Sequence, residues 1–410
     1  MKTTSLRIDT ARLNRRLGEL GKRGALAGGG VCRLALTDED RAGRELVVGW
    51  MRELGLEVAI DRIGNVIGIR KGSQDGPPVV TGSHIDTVAT GGLYDGNLGV
   101  LGGLEVIARL NEAGIATEKP LAVGFFTNEE GARFAPDMMG SGVHQGSMSL
   151  EQMLSTVGID GCTVVDELER IGYAGDVPCG NFEAQAYLEL HIEQGPVLEQ
   201  EGTVIGAVTG VQGISWTEVL FTGTSNHAGT TPMSMRCDAG HAAAELTTFV
   251  RGLTREMGGA QVGTVGSIRL EPDLINVIAS KAKLTIDLRN TDARKLVAAE
   301  QRFYAFLEEI AGKEGVQVEH RSLARSEPVD FHEEVIARVE SHAQDLGHPV
   351  RRLPSGAGHD AQMFAPNCPS GMIFVPSAKG VSHNVREFTE AEHIEAGGNV
   401  LLQTLLELAG

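Results

Sequence analysis

Apolar positions along the first part of the chain follow two alternating periods. Leu46, Val47, Trp50, Met51 and Leu54 share one face of a 3.6-residue turn, with Thr37-Asp-Glu-Asp ahead of them as a cap and Gly55 behind them as a stop, which predicts an amphipathic helix. Short apolar runs at 57–60 and 65–69 predict strands, and Pro78-Val79-Val80 reads as the end of a buried one. A helix is expected near Leu98–Gly114, then a strand at Leu121–Phe126. Strands alternating with helices predict an α/β domain of two or three layers around a mixed sheet, with functional groups at strand ends.

The order changes further on. Strand Ile214–Thr222, helix Asp238–Met257, strands Gly263–Leu270 and Lys281–Leu288, helix Asp292–Ala311 and strand Val316–Arg321 make a β-α-β-β-α-β series, the ferredoxin-like unit. A helix near Glu333–Leu346 and a strand at Met372–Val375 then return to the first pattern. The expected organisation is therefore discontinuous: residues 1–211 and 328–410 form one α/β catalytic domain, and 212–327 form an inserted α+β domain.

A chain of 410 residues fits two domains. Its net charge of −18 argues against nucleic acid and acidic membrane surfaces as partners. No apolar stretch reaches the ~20 residues of a membrane span. The N-terminal residues carry no apolar leader segment, and the five cysteines are scattered and odd in number, so free thiols in a reducing cytoplasm are expected.

The chemistry gathers at strand ends. Thr81-Gly-Ser-His84-Ile-Asp86 is followed by Gly91-Gly-Leu-Tyr-Asp95-Gly, so His84 and Asp95 can bind metal while the Asp86 carboxylate orients the imidazole. A lone His-x-Asp could equally be a satisfied loop histidine. It has company, however: Thr127-Asn-Glu129-Glu130-Gly follows the 121–126 strand, His191 lies in Leu190-His-Ile-Glu-Gln-Gly-Pro196, and His383 lies in Gly380-Val-Ser-His-Asn384. Adjacent glutamates point different ways, so one can bind metal and the other stay free as a base. His84, Asp95, Glu130, His191 and His383 offer nitrogen and oxygen donors without thiolate, a set suited to zinc, manganese, cobalt or nickel. Five ligands exceed the need of one tetrahedral zinc, whereas two divalent ions sharing Asp95 would use them all. Glu129 is then the carboxylate left free to act as a general base.

His84-x-Asp86, Asp95-Gly, Glu129-Glu130-Gly-x-Arg-Phe, His191-Ile-Glu-Gln-Gly-Pro, Asn226-His-Ala-Gly-Thr-Thr-Pro-Met233, Gly356-Ala-Gly-His-Asp-Ala361 and Ser382-His-Asn occur in this order. Together they resemble the dinuclear amidohydrolases of the M20 peptidase group, in the branch of N-carbamoyl-L-amino-acid hydrolases, β-ureidopropionases and allantoate amidohydrolases. The resemblance runs from about residue 30 onward. It implies that the inserted domain is a lid that pairs two subunits, and that His227 reaches the neighbouring subunit's site to stabilise the tetrahedral oxyanion. It also assigns Gln194, Asn276, Arg289 and His359 to substrate. Arg289 suits a substrate carboxylate because guanidinium binds it in a bidentate way, with Asn276 as its expected companion. Blander readings stand beside these: a turn-shaping loop histidine for His227, an outward carboxylate for Glu129, a surface ion pair for Arg289 and a structural histidine for His359. Ala279-Ser280, Leu93 and Val385 depart from residues common in that group.

The expected partners are a small substrate with a free carboxylate and a second copy of the chain. The expected reaction converts an N-carbamoyl-L-amino acid to the amino acid, carbon dioxide and ammonia. Allantoate or ureidoglycolate hydrolysis, dipeptide cleavage and a silent binding paralogue are the competing readings; five ligands plus Glu129 argue against the last. His144, His241, His320, His332, His342, His348 and His393 lack partner motifs, and His342 and His348 near a helix end are expected to be solvated. Nothing marks Cys237 as a nucleophile.

Overall fold

A computed structural model describes residues 5–410. The helix expected from Thr37 onward spans Asp38–Glu53, and Asp40 donates its backbone N–H to the Thr37 hydroxyl, which closes the helix start. In chain order the strands of the first half are β1 (Glu57–Ile60), β2 (Val66–Arg70), β3 (Val79–His84), β4 (Leu121–Phe126), β5 (Ala186–Ile192) and β6 (Ile205–Val211). Then follow β7 (Gly213–Thr222), β8 (Val262–Glu271), β9 (Lys281–Asn290), β10 (Gln317–Ser326), β11 (Val329–Asp330), β12 (Val350–Ser355) and β13 (Ser370–Val375).

The chain divides into two compact units, one of residues up to Gly210 together with Asp330–Gly410, the other Val211–Val329. The first holds a mixed sheet in the order β1-β2-β4-β3-β5-β13-β6-β11, with β12 paired to β6. β3 lies parallel to β4 and β5, and β5 parallel to β13; the pairs β1–β2, β2–β4 and β6–β13 are antiparallel. Every residue of β3, β4, β5 and β13 is buried, and β4 and β13 accordingly read as near-continuous apolar runs rather than alternating ones. Helices Thr10–Gly21, Asn97–Glu112 and Ala391–Leu408 pack against one another, and the latter two against β5 and its neighbours. The parallel strands deliver their carboxyl ends to one edge, where open α/β sheets bind ligands.

The second unit is an antiparallel sheet in the order β10-β7-β9-β8, with helices Ala239–Met257 and Ala293–Glu314 packed on it. This is the ferredoxin-like arrangement. β7 alternates buried with less buried positions along its length, and Val219, Phe221, Leu246, Leu284, Phe303 and Leu307 fill the core between sheet and helices.

One histidine departs from expectation. His342 is buried, not solvated, because it continues the inward face Val335, Ile336 and Val339 of helix Glu333–Asp345, and its Nε2 lies 2.7 Å from Glu407 Oε2. No helix among the described residues is long and apolar enough to cross a membrane. All five cysteines are free.

Candidate metal centre

Five elements bring the predicted ligands together. His84 ends β3, His191 is the penultimate residue of β5, Glu129 and Glu130 follow β4, Asp95 precedes helix Asn97–Glu112, and His383 follows β13. His84, Asp95 and His191 form one group of donors and Asp95, Glu130 and His383 another, with the ligand atoms of each group lying within 4.8 Å of one another. Asp95 divides its carboxylate between them. Its Oδ1 lies 3.6 Å from His84 Nε2 and 3.2 Å from His191 Nε2, and its Oδ2 lies 3.4 Å from His383 Nε2. Glu130 Oε2 is 3.3 Å from His383 Nε2, and Glu129 Oε2 is 3.3 Å from His84 Nε2.

Backbone carbonyls fix both buried imidazoles. His84 Nδ1 meets Asp86 O at 2.9 Å and His191 Nδ1 meets Ile192 O at 2.8 Å, which leaves each Nε2 turned to the carboxylates. This corrects the expectation for Asp86, whose backbone rather than side chain orients His84. The turn out of β3 brings the Asp86 carbonyl over the ring. Its carboxylate faces the next turn instead, accepting the N–H groups of Glu129 at 3.2 Å and Glu130 at 3.3 Å. Asp86 therefore aims both glutamates.

The electrostatics are those of a site built for cations. Burial alone would raise the Asp95 carboxyl, but hydrogen bonds from His191, His383 and His84 hold it well below its ordinary value. Burial alone would lower His84, yet Glu129 and Asp95 raise it well above its ordinary value. Burial, reinforced by the carboxylates of Asp360, Glu130 and Asp95, raises Glu129 well above the usual carboxylate range. Burial lifts Asp86 to about 6. Imidazoles held this close to carboxylates take up protons unless a metal ion replaces them, so the donor set fits metal.

Gly96 lets the imidazoles approach. It has φ +65°, a conformation that favours glycine, and a Cβ placed there would stand 2.4 Å from His84 Nε2. The signal was present in the sequence as Asp95-Gly.

The predicted substrate residues fall into two groups. In the first unit, Gln194 Nε2 lies 2.8 Å from Asp95 Oδ2, and the His359 ring packs edge-on against His191 with centroids 4.5 Å apart. His359 is buried, and burial keeps its imidazole neutral; Ser355 Oγ lies 2.8 Å from its Nε2. In the second unit, His227 is exposed, and its Nδ1 accepts the N–H groups of Gly229 at 3.0 Å and Thr230 at 3.2 Å. That loop shapes the ring and puts the proton on Nε2. Asn276 accepts the Ala228 N–H on its carbonyl, so it belongs to the same tip. Arg289 pairs with Asp287 at 2.9 Å and lies over the Trp216 ring.

Arg289 is not beside Asn276, as companion binding of one carboxylate would need. Gly223, at the start of the His227 loop, donates to Ser280 next to the first residue of β9, whereas Arg289 is the penultimate residue of that strand, opposite Ile214. Eight residues of strand separate the two ends by roughly 26 Å at ~3.3 Å per residue.

Sequence reasoning missed Ser382 and Glu387 as parts of the site. Ser382 Oγ lies 3.0 Å from Asp95 Oδ2 and 2.9 Å from Glu387 Oε2. It also missed Glu189, a fully buried acid two residues before His191, which accepts from Ser83 Oγ at 2.6 Å and the Ala361 N–H at 2.9 Å.

Comparison with known proteins agrees with this architecture. An N-carbamoyl-L-amino-acid amidohydrolase of Rhizobium meliloti is 41% identical over 98% of this chain and 97% of its own. An allantoate amidohydrolase of Bacillus subtilis is 35% identical over 95% of each. The crystal structure of an amidase of the hydantoinase/carbamoylase family from Burkholderia multivorans superposes with a TM-score of 0.96 at 46% identity, covering 99% of each chain. Residues 80–407 match peptidase family M20/M25/M40, and with relatives this similar along nearly its whole length the chain belongs to that metal-dependent family.

Proposed function

We propose that this chain hydrolyses the carbamoyl C–N bond of an N-carbamoyl-L-amino acid, consuming one water and releasing the amino acid, carbon dioxide and ammonia. It is an amidohydrolase acting on linear C–N bonds other than peptide bonds. One observation carries the reading of the site: the two oxygens of Asp95 face separate donor trios. His84, Asp95 and His191 would hold one divalent ion, and Asp95, Glu130 and His383 a second, with zinc the best match to the donors. When bound, such ions polarise the carbonyl and lower the pKa of water toward neutrality.

The remaining work falls to the protein. Glu129 takes the proton of the attacking water and delivers it to the departing nitrogen. Its burial supports this role, because an apolar surround raises its affinity for that proton. Gln194 and His359 flank the reacting group from the Asp95 and His191 sides. Arg289 grips the substrate carboxylate in place of Asp287. His227 donates Nε2–H to the oxygen that becomes negative in the tetrahedral state. The separation between Arg289 and the His227–Asn276 tip supports a homodimer in which one copy supplies Arg289 to a site and the other supplies His227 and Asn276. No small substrate bridges both ends of β9 within one copy.

Hydrolysis of allantoate or of ureidoglycolate is the second reading, supported by the allantoate amidohydrolase among the relatives. The test is a panel of N-carbamoyl-L-amino acids, allantoate, ureidoglycolate and dipeptides offered to zinc- or manganese-loaded protein, with ammonia and free amine both measured. Equimolar ammonia and amino acid from carbamoyl substrates is expected. Release of amine without ammonia, from dipeptides alone, overturns the proposal.

A further inference from the structure

We infer that Glu387 is a positioning residue that latches together the two loops of the metal centre and selectively holds the second metal position. The inference rests on the two-ion reading above.

Glu387 follows His383 by four residues and is buried, with 5% of its surface exposed. Its Oε1 accepts the backbone N–H groups of Tyr94 at 3.0 Å and Asp95 at 3.1 Å. Its Oε2 meets Ser382 Oγ at 2.9 Å, and the same hydroxyl lies 3.0 Å from Asp95 Oδ2. One carboxylate thus joins the backbone of the shared ligand to the residue before His383. The loops it joins lie almost 300 positions apart in the chain. The space is shaped for it: a Cβ at Gly92 would fall 2.1 Å from Glu387 Oε1.

The two trios depend on this latch unequally. His84 and His191 are strand residues, fully buried, each fixed by a backbone carbonyl. Only Asp95 links their trio to the latch. In the other trio, Asp95 and His383 both ride on latched loops. His383 is the ligand with least support of its own: its side chain is half exposed, and its backbone takes φ +52°, which a residue with a Cβ adopts only when its surroundings impose it. Removing the latch therefore releases two of three ligands at the second position and one of three at the first.

The chemistry of the latch also separates Glu387→Gln from Glu387→Ala. A glutamine oxygen still accepts both N–H groups. Its amide donates to Ser382, whose own proton then goes to Asp95 Oδ2. Alanine removes all of these bonds.

The test is titration of the metal-free full chain with zinc alone, followed by calorimetry, with metal content after dialysis and thermal melting of the metal-free protein measured in parallel. Wild type is expected to bind two ions. Glu387→Ala should bind the second ion about 10–100-fold more weakly, the usual cost of losing an outer-shell partner, and the first with a distinctly smaller loss. Glu387→Gln should stay close to wild type. If Glu387→Ala does not fold, Ser382→Ala removes the link to the His383 loop alone and should weaken the second ion in the same direction. Equal weakening of both ions, two ions bound at wild-type affinities in Glu387→Ala or in Ser382→Ala, or a glutamine variant as weak as alanine would each overturn the latch. A wild-type protein that binds one ion refutes the two-ion reading itself, and the latch with it.

Discussion

Gly96→Ala isolates a close approach of the chain to a proposed metal ligand. Two costs can be worked from the structure. The first is conformational: Gly96 has φ +65°, and a side chain in that region costs about 1–2 kcal/mol. The second is steric. The new Cβ would lie 2.4 Å from His84 Nε2, whereas ordinary contact begins at 3.4 Å, so the ring must retreat by about 1 Å. Metal–ligand distances tolerate only about 0.2 Å. The ring is held from behind by the Asp86 carbonyl, so it cannot retreat and still aim Nε2. The first ion then keeps only Asp95 and His191, and its affinity should fall by at least ~100-fold, since outer-shell partners alone are worth ~10–100-fold. Gly114→Ala is the control. It lies just beyond the other end of the same helix, with φ +63° and nothing within 4 Å of a Cβ. It should cost the same backbone energy, lower the melting temperature by a few degrees and leave zinc binding unchanged. Zinc calorimetry and thermal melting of both metal-free variants decide the matter. A Gly96→Ala protein that binds its first ion as wild type does refutes the steric argument. Equal loss in Gly114→Ala would assign the effect to general strain.

Glu129→Gln should keep both ions by metal analysis and lose ~10²–10⁴-fold in kcat; turnover above a tenth of wild type would remove Glu129 as the base. His227→Ala and Glu129→Gln, each inactive alone, should restore activity when mixed and allowed to exchange subunits, because about half the dimers are then mixed and each mixed dimer holds one intact site. Verified exchange without recovery would place His227 in its own subunit's site or in none. In the metal-free protein, hydrogen bonds to Asp95 and Glu130 raise His383 to about 10. A folded value above the ordinary ~6.5 stabilises the fold fully below ~6.5, and that contribution is lost as pH rises through about 10. Denaturant unfolding of metal-free wild type should therefore show stability declining across that window, with a shallower decline in His383→Gln; parallel curves would exclude the residue as the source.

The framework was legible because its signals are local. Leu121–Phe126 is a strand in sequence and structure alike, since five apolar residues and a glycine bounded by Pro120 and Thr127 leave little else. The helix from Asp38 announces itself by its cap, and the inserted unit by a change in element order. The five proposed ligands were legible as a set because several His, Asp and Glu recur at the ends of apolar strands, and the structure gathers them into two donor groups. What stayed hidden depends on long-range partners. Glu189 sits in the middle of a buried strand, which no pattern of apolar residues predicts, and accepts hydrogen bonds from Ser83 and Ala361, 106 and 172 residues away. Glu387 looks like any surface acid until Tyr94 and Asp95 are seen to donate to it. Asp86 stands beside His84 along the strand, which suggests a partnership, but the bend after β3 turns its side chain toward the glutamates.

The position of β13 has a consequence for how the protein is made. It is the last strand in the sequence, yet it lies between β5 and β6 in the middle of the first unit's sheet. While it is still unsynthesised, β5 and β6 have no partner on their facing edges, and His383 does not exist. The Val211–Val329 unit is contiguous and can fold as soon as it leaves the ribosome. Synthesis at about 5–20 residues per second leaves roughly 2–9 s between residue 329 and the end of β13. Through this interval the nascent chain carries open, apolar strand edges, which invite pairing with other chains. Chaperone demand and aggregation during expression should therefore concentrate before β13 has emerged, and metal can be captured in full only once His383 is in place.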